Sequence, residues 1–224
     1  LNSFTRYGLL RDYLPKIQTG EVKTIIVPDM VQLVGSVSPA IQNDVVTFFN
    51  SLLEEGLKSI STYHVSVNFD KPIKMNLITA IPKGIFQDKR RLKKWLATGF
   101  LSRMLPASYS YDKELIAQIF TYITHFDYLK EEPVQLHLEE REVNMKPELA
   151  ERLLIVTEAI SQEVGTYGFR IQRHLQELAR GKALLEGRSE VTEEDVREII
   201  KLASWCNLSF NPVKLTNNGG STDA

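Results

Sequence analysis

The chain has 224 residues, 43% of them hydrophobic and 25% charged, with a formal net charge of −1, which is enough apolar material for one or two cored domains. Near-neutrality excludes wholesale electrostatic binding to nucleic acid and leaves only local basic patches, while the lone Cys206 excludes an internal disulfide and fits a reducing cytoplasm. No apolar run reaches membrane-spanning length, no signal segment opens the chain, and a start at Leu1 is what a piece of a longer protein would show.

Tyr7–Ile17 predicts a short helix, interrupted at Pro15 and ended by Gly20. Val22–Val27 (VKTIIV) is a continuous β-branched run, expected to be a strand buried on both faces, and Pro28-Asp29-Met30 closes it. Ser38 and Pro39 suit the N-cap and first turn of a helix. That helix carries Ile41, Val45, Phe48, Phe49 and Leu52 at helical spacing and ends at Leu53-Glu54-Glu55-Gly56. Two strand-like runs follow, Ser59–Phe69 and Lys74–Ile81, the second broken by Pro82-Lys83-Gly84. The basic segment Lys89–Lys94 (KRRLKK) leads into a helix over Trp95–Arg103, and Leu105–Ser110 reads as a further short strand. Strands alternating with helices favour a parallel, helix-covered sheet.

From Asp112 onward the periodicity is helical. Asp112 caps Lys113–Phe126, and Pro147 occupies the first turn of Glu148–Val164. Gly165 and Gly168 set off Phe169–Leu185. Thr192 caps Glu193–Cys206, with Asp195 where a capping box usually has Glu. Val196, Ile199, Ile200 and Ala203 form the buried stripe of this last helix. The expected organisation is an α/β part over residues 1–110, an all-α part over 111–212 and a small, polar, flexible tail over 213–224.

Several residues carry candidate chemistry. A buried parallel strand ending in Asp29 delivers a carboxylate to the carboxyl edge of a sheet, where ligands bind in open α/β folds. There it can hold the water shell of a Mg²⁺ ion beside phosphates; a plain Pro-Asp turn explains the same residues. Lys89, Arg90, Arg91, Lys93 and Lys94 form either a solvated helix face or a phosphate contact to DNA or RNA. Trp95 beside them is either a stacking platform or core. Arg170 opens a helix whose dipole disfavours a cation there, so it wants either an acidic neighbour or an anionic ligand; Arg173 is the alternative in register. His64, His125, His137 and His174 lack metal-ligand spacing, and no Gly-x-Ser-x-Gly elbow is present.

Taken in order, these features resemble the Walker B-to-lid portion of a AAA+ ATPase of the MCM/MoxR-like branch. VKTIIVPD is similar to the Walker B strand. LLEEG and the strands after it look like that branch's hairpin region. NLITAIPKG (Asn76–Gly84) resembles the sensor-1 strand, GFLSRMLP (Gly99–Pro106) the arginine-finger segment, and GFRIQRHLQELARGKAL with GRSEVTEEDV the lid helix and its closing turn. The resemblance implies a partial, parallel-sheet P-loop NTPase core followed by an all-α lid, using ATP and Mg²⁺. It assigns Asp29 to the metal, Thr79, with Asn76 second, to the polar sensor beside the nucleotide, Arg103 to a finger acting in trans, and Arg170 to the second sensor. It further implies a homo-oligomer acting on DNA or protein complexes, without a membrane and in the cytoplasm.

Two departures bear on that expectation. The catalytic glutamate that follows a Walker B aspartate is Met30 here, and a thioether neither accepts a proton nor orients water. No Gly-x-x-x-x-Gly-Lys-Ser/Thr occurs in the sequence, and that loop supplies the donors that cradle the phosphates. A non-hydrolysing scaffold and a nucleic-acid-binding module are the two competing expectations.

Overall fold

The computed structural model describes residues 12, 13, 15–31, 38–61, 66–82, 89–108, 111–130, 132, 139 and 141–206. They fall into two compact units divided between Met104 and Leu105.

In the first unit the VKTIIV run forms β1 (Thr24–Val27) with alternating burial: Ile25 and Val27 point inward, whereas Ile26 is 56% exposed. β1 is therefore covered on one face only, which corrects the expectation of a strand buried on both. Its partner shows the same asymmetry. The strand over Asn76–Thr79 (β4) runs parallel to β1, pairing Ile26 with Ile78 and Val27 with Thr79, and Ile78 is also exposed.

Between them lies α1 (Pro39–Asn50), which buries Val46, Phe48 and Phe49; the side chain of Ile41 falls outside the described residues. The helix ends in a π-type turn, Ser51–Glu55, closed by the Gly56 N–H on the Ser51 carbonyl at 2.7 Å. Gly56 has φ 81°, and a Cβ there would sit 2.7 Å from Pro72 Cβ, so both backbone and space require glycine. β2 (Leu57–Ser61) and β3 (Ser66–Ile73) then pair antiparallel as a separate sheet. The run expected as one strand, Ser59–Phe69, is thus divided between the two arms of a hairpin. Its apolar residues alternate too loosely to reveal the reversal.

α2 (Lys89–Ala97) begins in the basic segment and stops earlier than expected. Gly99 takes φ 70° and the chain resumes as a 3₁₀ turn, Leu101–Arg103, rather than continuing the helix. Trp95 is buried and meets Phe100 edge-on at 5.6 Å, and Phe100 lies against Phe49 at 6.5 Å. The tryptophan is therefore core of this unit, not a stacking platform.

The second unit is helical. Residues 105–108 form no strand, and the Ser108 N–H bonds the Trp205 carbonyl at 2.7 Å. α3 (Lys113–Thr124) is capped as expected, the Asp112 carboxylate accepting from the Leu115 N–H at 2.7 Å. The single helix expected over Glu148–Val164 is two, α4 (Pro147–Arg152) and α5 (Leu154–Val164), hinged at the fully buried Leu153. α6 (Phe169–Leu185) and α7 (Glu193–Ala203) complete the unit. Their buried stripes recur at helical spacing: Ile171, Leu175, Ala179 and Ala183 on α6, and Val196, Ile199 and Ala203 on α7.

The turn into α6 is tightly held. A Cβ on Gly168 would lie 2.7 Å from both Ser161 Oγ and Thr157 Cγ2 of α5. Gln172, one turn later, hydrogen-bonds the Thr157 hydroxyl and donates to the Ala150 carbonyl at 2.7 Å. Gly168→Ala is expected to cost about 1–3 kcal/mol through overpacking alone, because its φ of −71° is open to alanine; chemical denaturation of the variant checks this.

Candidate functional site

The parallel pairing of β1 and β4 decides what lies at the sheet edge. Val27 and Thr79 are register partners at the carboxyl ends of both strands. The ladder continues past them, with the Ala80 N–H on the Val27 carbonyl (3.4 Å) and the Met30 N–H on the Ala80 carbonyl (3.0 Å). It steps over Pro28, which has no N–H to give. Asp29 therefore follows the sheet edge two residues beyond Val27, the register partner of Thr79.

Thr79 Oγ1 is buried and has no hydrogen-bond partner. A buried hydroxyl left unpaired costs free energy, and here it marks a place where a polar group is accommodated. Asp29 is half-buried, and its Oδ1 accepts from the Val31 N–H at 2.9 Å; this Asx turn fixes the carboxylate and leaves Oδ2 available to a ligand. A carboxylate just past one strand of a parallel-sheet edge and an unpaired hydroxyl at the end of the other are the kinds of donor that suit hydrated Mg²⁺ and a phosphate. Among the described residues no cluster of three or more His, Cys, Asp or Glu side chains is arranged to hold a metal directly.

The other candidates are placed differently. Asn76 pairs with Thr24 at the opposite end of β4, three residues and about 10 Å along the strand from Thr79; the structure does not bring it to Asp29. Met30 is fully buried, so the residue in the glutamate's place belongs to the core. Arg103 is folded inward. Its Nε lies 2.8 Å from Glu54 Oε2 and its Nη1 donates to the Gly99 carbonyl at 2.8 Å, with the side chain mostly buried. The Nε–H does not point along the Glu54 contact, so the attraction is between charges more than an aligned hydrogen bond. A Cβ on Gly99 would lie 2.6 Å from Arg103 Nη1, and this glycine is what admits the folded-back arginine. Glu54, from the π turn, escaped the sequence reading because nothing local in LLEEG indicates a partner 49 residues on.

In the basic segment the side chains of Lys89 and Arg91 fall outside the described residues, whereas Arg90 and Lys93 are exposed and Lys94 is half-buried. Arg170, in the second unit, sits half-buried in the first turn of α6, and Arg173 is exposed one turn on. Of the histidines, His64 and His137 lie outside the described residues.

The α6–α7 turn holds a polar cluster that the sequence only half revealed. The Thr192–Asp195 capping box is complete in both directions. Asp195 also receives Arg188 as a two-pronged fork, 2.7 Å to Oδ2 and 2.6 Å to Oδ1, and Arg188 reaches Glu186 at 2.6 Å. The Arg188 hydrogen bonds, followed by those from Thr192, hold the buried Asp195 carboxyl down at about 2. An arginine in the turn just before a Thr-x-x-Asp cap was the available signal for this pairing. Cys206 is buried, and desolvation lifts its thiol to about 11, so it is an inert packing group.

No helix among the described residues is long and apolar enough to cross a membrane. No curated protein matches the chain. Residues 156–204, which span most of α5, all of α6 and α7 and the clamped turn between them, match the AAA lid domain family.

Proposed function

We propose that the chain is the Walker B-to-lid part of an AAA+ ATPase of the MCM/MoxR-like branch, binding MgATP at the carboxyl edge of the β1–β4 sheet. The observation that carries the reading is the lid match over residues 156–204; an unpaired Thr79 hydroxyl at the carboxyl end of β4, with Asp29 two residues past its register partner Val27, supports it. Asp29 holds the hydrated metal and Thr79 hydrogen-bonds a phosphate-side oxygen. Arg170 supplies the lid cation, and Asn76 has no part at that edge. Mg²⁺ supplies charge neutralisation at the phosphates, and the protein's own groups orient them. The phosphate-cradling loop, absent from these 224 residues, comes from another segment. Ring assembly, with Arg103 acting on a neighbour's nucleotide and DNA or a protein complex as the object moved, completes the proposal.

A second reading has its own support. Met30 is buried and cannot polarise water, and Arg103 is already paired. Both suit a scaffold that does not turn over ATP. Fluorescent MgATP binding and phosphate release, measured on the protein at its full natural length, separate the two. Binding weakened at least tenfold by Asp29→Asn and by Thr79→Ala supports the nucleotide site; binding unaltered in both variants removes it. Binding without turnover favours the scaffold.

A further inference from the structure

The last two helices carry an open apolar groove. α6 and α7 flank a hollow of about 970 Å³, with Leu178, Leu185, Leu202 and Trp205 along it. All four are exposed, Leu185 and Leu202 each by more than half. The lining runs from Glu177 to Leu185 on α6 and from Glu194 to Trp205 on and just past α7. At about 1.5 Å per residue that is roughly 12–16 Å, the length of about two to three helical turns. With its apolar walls this open, the groove is a trough for an element to lie along, and not a cavity that encloses a small molecule.

The charges along the groove differ in what they still need. Its acids are matched: Glu177 with Arg180 at 2.9 Å, Glu194 with Arg197 at 3.2 Å, and Glu198 with Lys182 at 2.9 Å. Lys201, exposed in the same lining, has no ion pair among the described residues. It adjoins Leu202 and lies one helical turn before Trp205. The groove therefore asks for apolar contact together with one negative charge. A carboxylate that arrives with apolar residues around it serves Lys201 best, because those residues exclude water from the pair.

We propose that the α6–α7 groove receives an acidic amphipathic helix of a different protein, with apolar residues at i, i+4 and i+7 in the trough and a carboxylate on Lys201. Charge complementarity selects this partner over segments of the chain itself. The exposed apolar helix α3 has no Asp or Glu from Leu115 to Phe126, and residues 207–222, which follow α7, have none either. A basic amphipathic helix would set like charge against Lys201, and an uncharged one would leave the ammonium unmatched under apolar cover. The docking needs no nucleotide and does not rest on the ATPase reading.

Fluorescence anisotropy with labelled peptides tests it on the full chain. The probe is a helix-forming peptide of Leu, Ala and Glu with blocked ends, about fifteen residues long so that it holds helical turns in water. Its counterpart has Lys at every Glu position. The salt is about 0.15 M, so that acids elsewhere on the unit are screened beyond about 8 Å. The Glu peptide is expected to bind with a Kd on the order of tens of micromolar, and the Lys peptide about tenfold more weakly. Lys201→Glu is expected to reverse that preference and Lys201→Gln to remove most of it. Leu202→Ser is expected to weaken both peptides about tenfold. All three changes lie at exposed positions, and unchanged circular dichroism checks that the helices persist. A Glu peptide that does not bind, equal binding of the two peptides by the unaltered protein, or a preference that both Lys201 variants leave unmoved would each overturn the proposal.

Discussion

On the proposed ATPase reading, Arg103→Ala is expected to lower ATP turnover of the assembled protein about 10³-fold or more while leaving MgATP binding intact. A cation brought to a neighbour's γ-phosphate acts on the transition state and not on ground-state affinity. The geometry makes the experiment more informative than a single substitution. Arg103 is held by Glu54 and by the Gly99 carbonyl, so a trans-acting role requires that contact to open. Glu54→Gln weakens the restraint without removing the cation. If Arg103 is a finger, that variant keeps or raises turnover. If Arg103 is only an internal tie, Arg103→Ala and Glu54→Gln both lower the melting temperature and neither changes turnover beyond the loss of folded protein. Equal turnover in the unaltered protein and Arg103→Ala would remove the finger.

Asp195→Ala is expected to destabilise the helical unit by about 3–5 kcal/mol. One carboxylate, almost wholly buried, accepts the Arg188 fork, the Thr192 hydroxyl and the Thr192 N–H. Removing it leaves the arginine without its main partner and the helix without its capping box. Asp195→Asn keeps the size and one acceptor, and is expected to cost less. The same carboxyl sets a pH dependence. Its folded pKa, about 2, lies below the roughly 3.9 of an unfolded aspartate. Its contribution, about 2 kcal/mol, is therefore fully present above pH 4 and is lost as the pH falls through 2. Acid titration followed by circular dichroism is expected to show an added loss between those values that Asp195→Ala lacks.

The sequence was most legible where interactions are local. The caps at Asp112 and Thr192 and three of the four stripe residues of α7, Val196, Ile199 and Ala203, follow from local spacing, and the structure has them; the fourth, Ile200, is only half-buried. The reading faltered where long-range contacts decide. Ser59–Phe69 looks like one strand because a hairpin's reversal leaves little trace in alternation. The helix over Glu148–Val164 is divided at Leu153, which keeps αR dihedrals but whose N–H bonds the Ala150 carbonyl three residues back, a local tightening that no residue type announces. Asn76 and Thr79 are equally polar residues on one strand, and only the register with β1 shows that they occupy opposite ends. Glu54 and Arg103 meet through a π turn and a glycine at φ 70°, neither of which the residue types announce. Arg170 was legible as an odd cation at a helix start, but its part in binding rests on resemblance.

The one-sided sheet has a consequence for how the molecule opens. β1 and β4 are four residues each, with Ile26 and Ile78 facing outward, so part of the apolar contact that would keep them shut is missing. The N–H groups of Ile26 and Ile78 are expected to exchange with deuterium orders of magnitude faster than those of Leu175 and Ala179 on α6, read by mass spectrometry of peptic fragments. A molecule that bound over that face would slow the strand amides selectively, so their exchange rate reports on its occupancy.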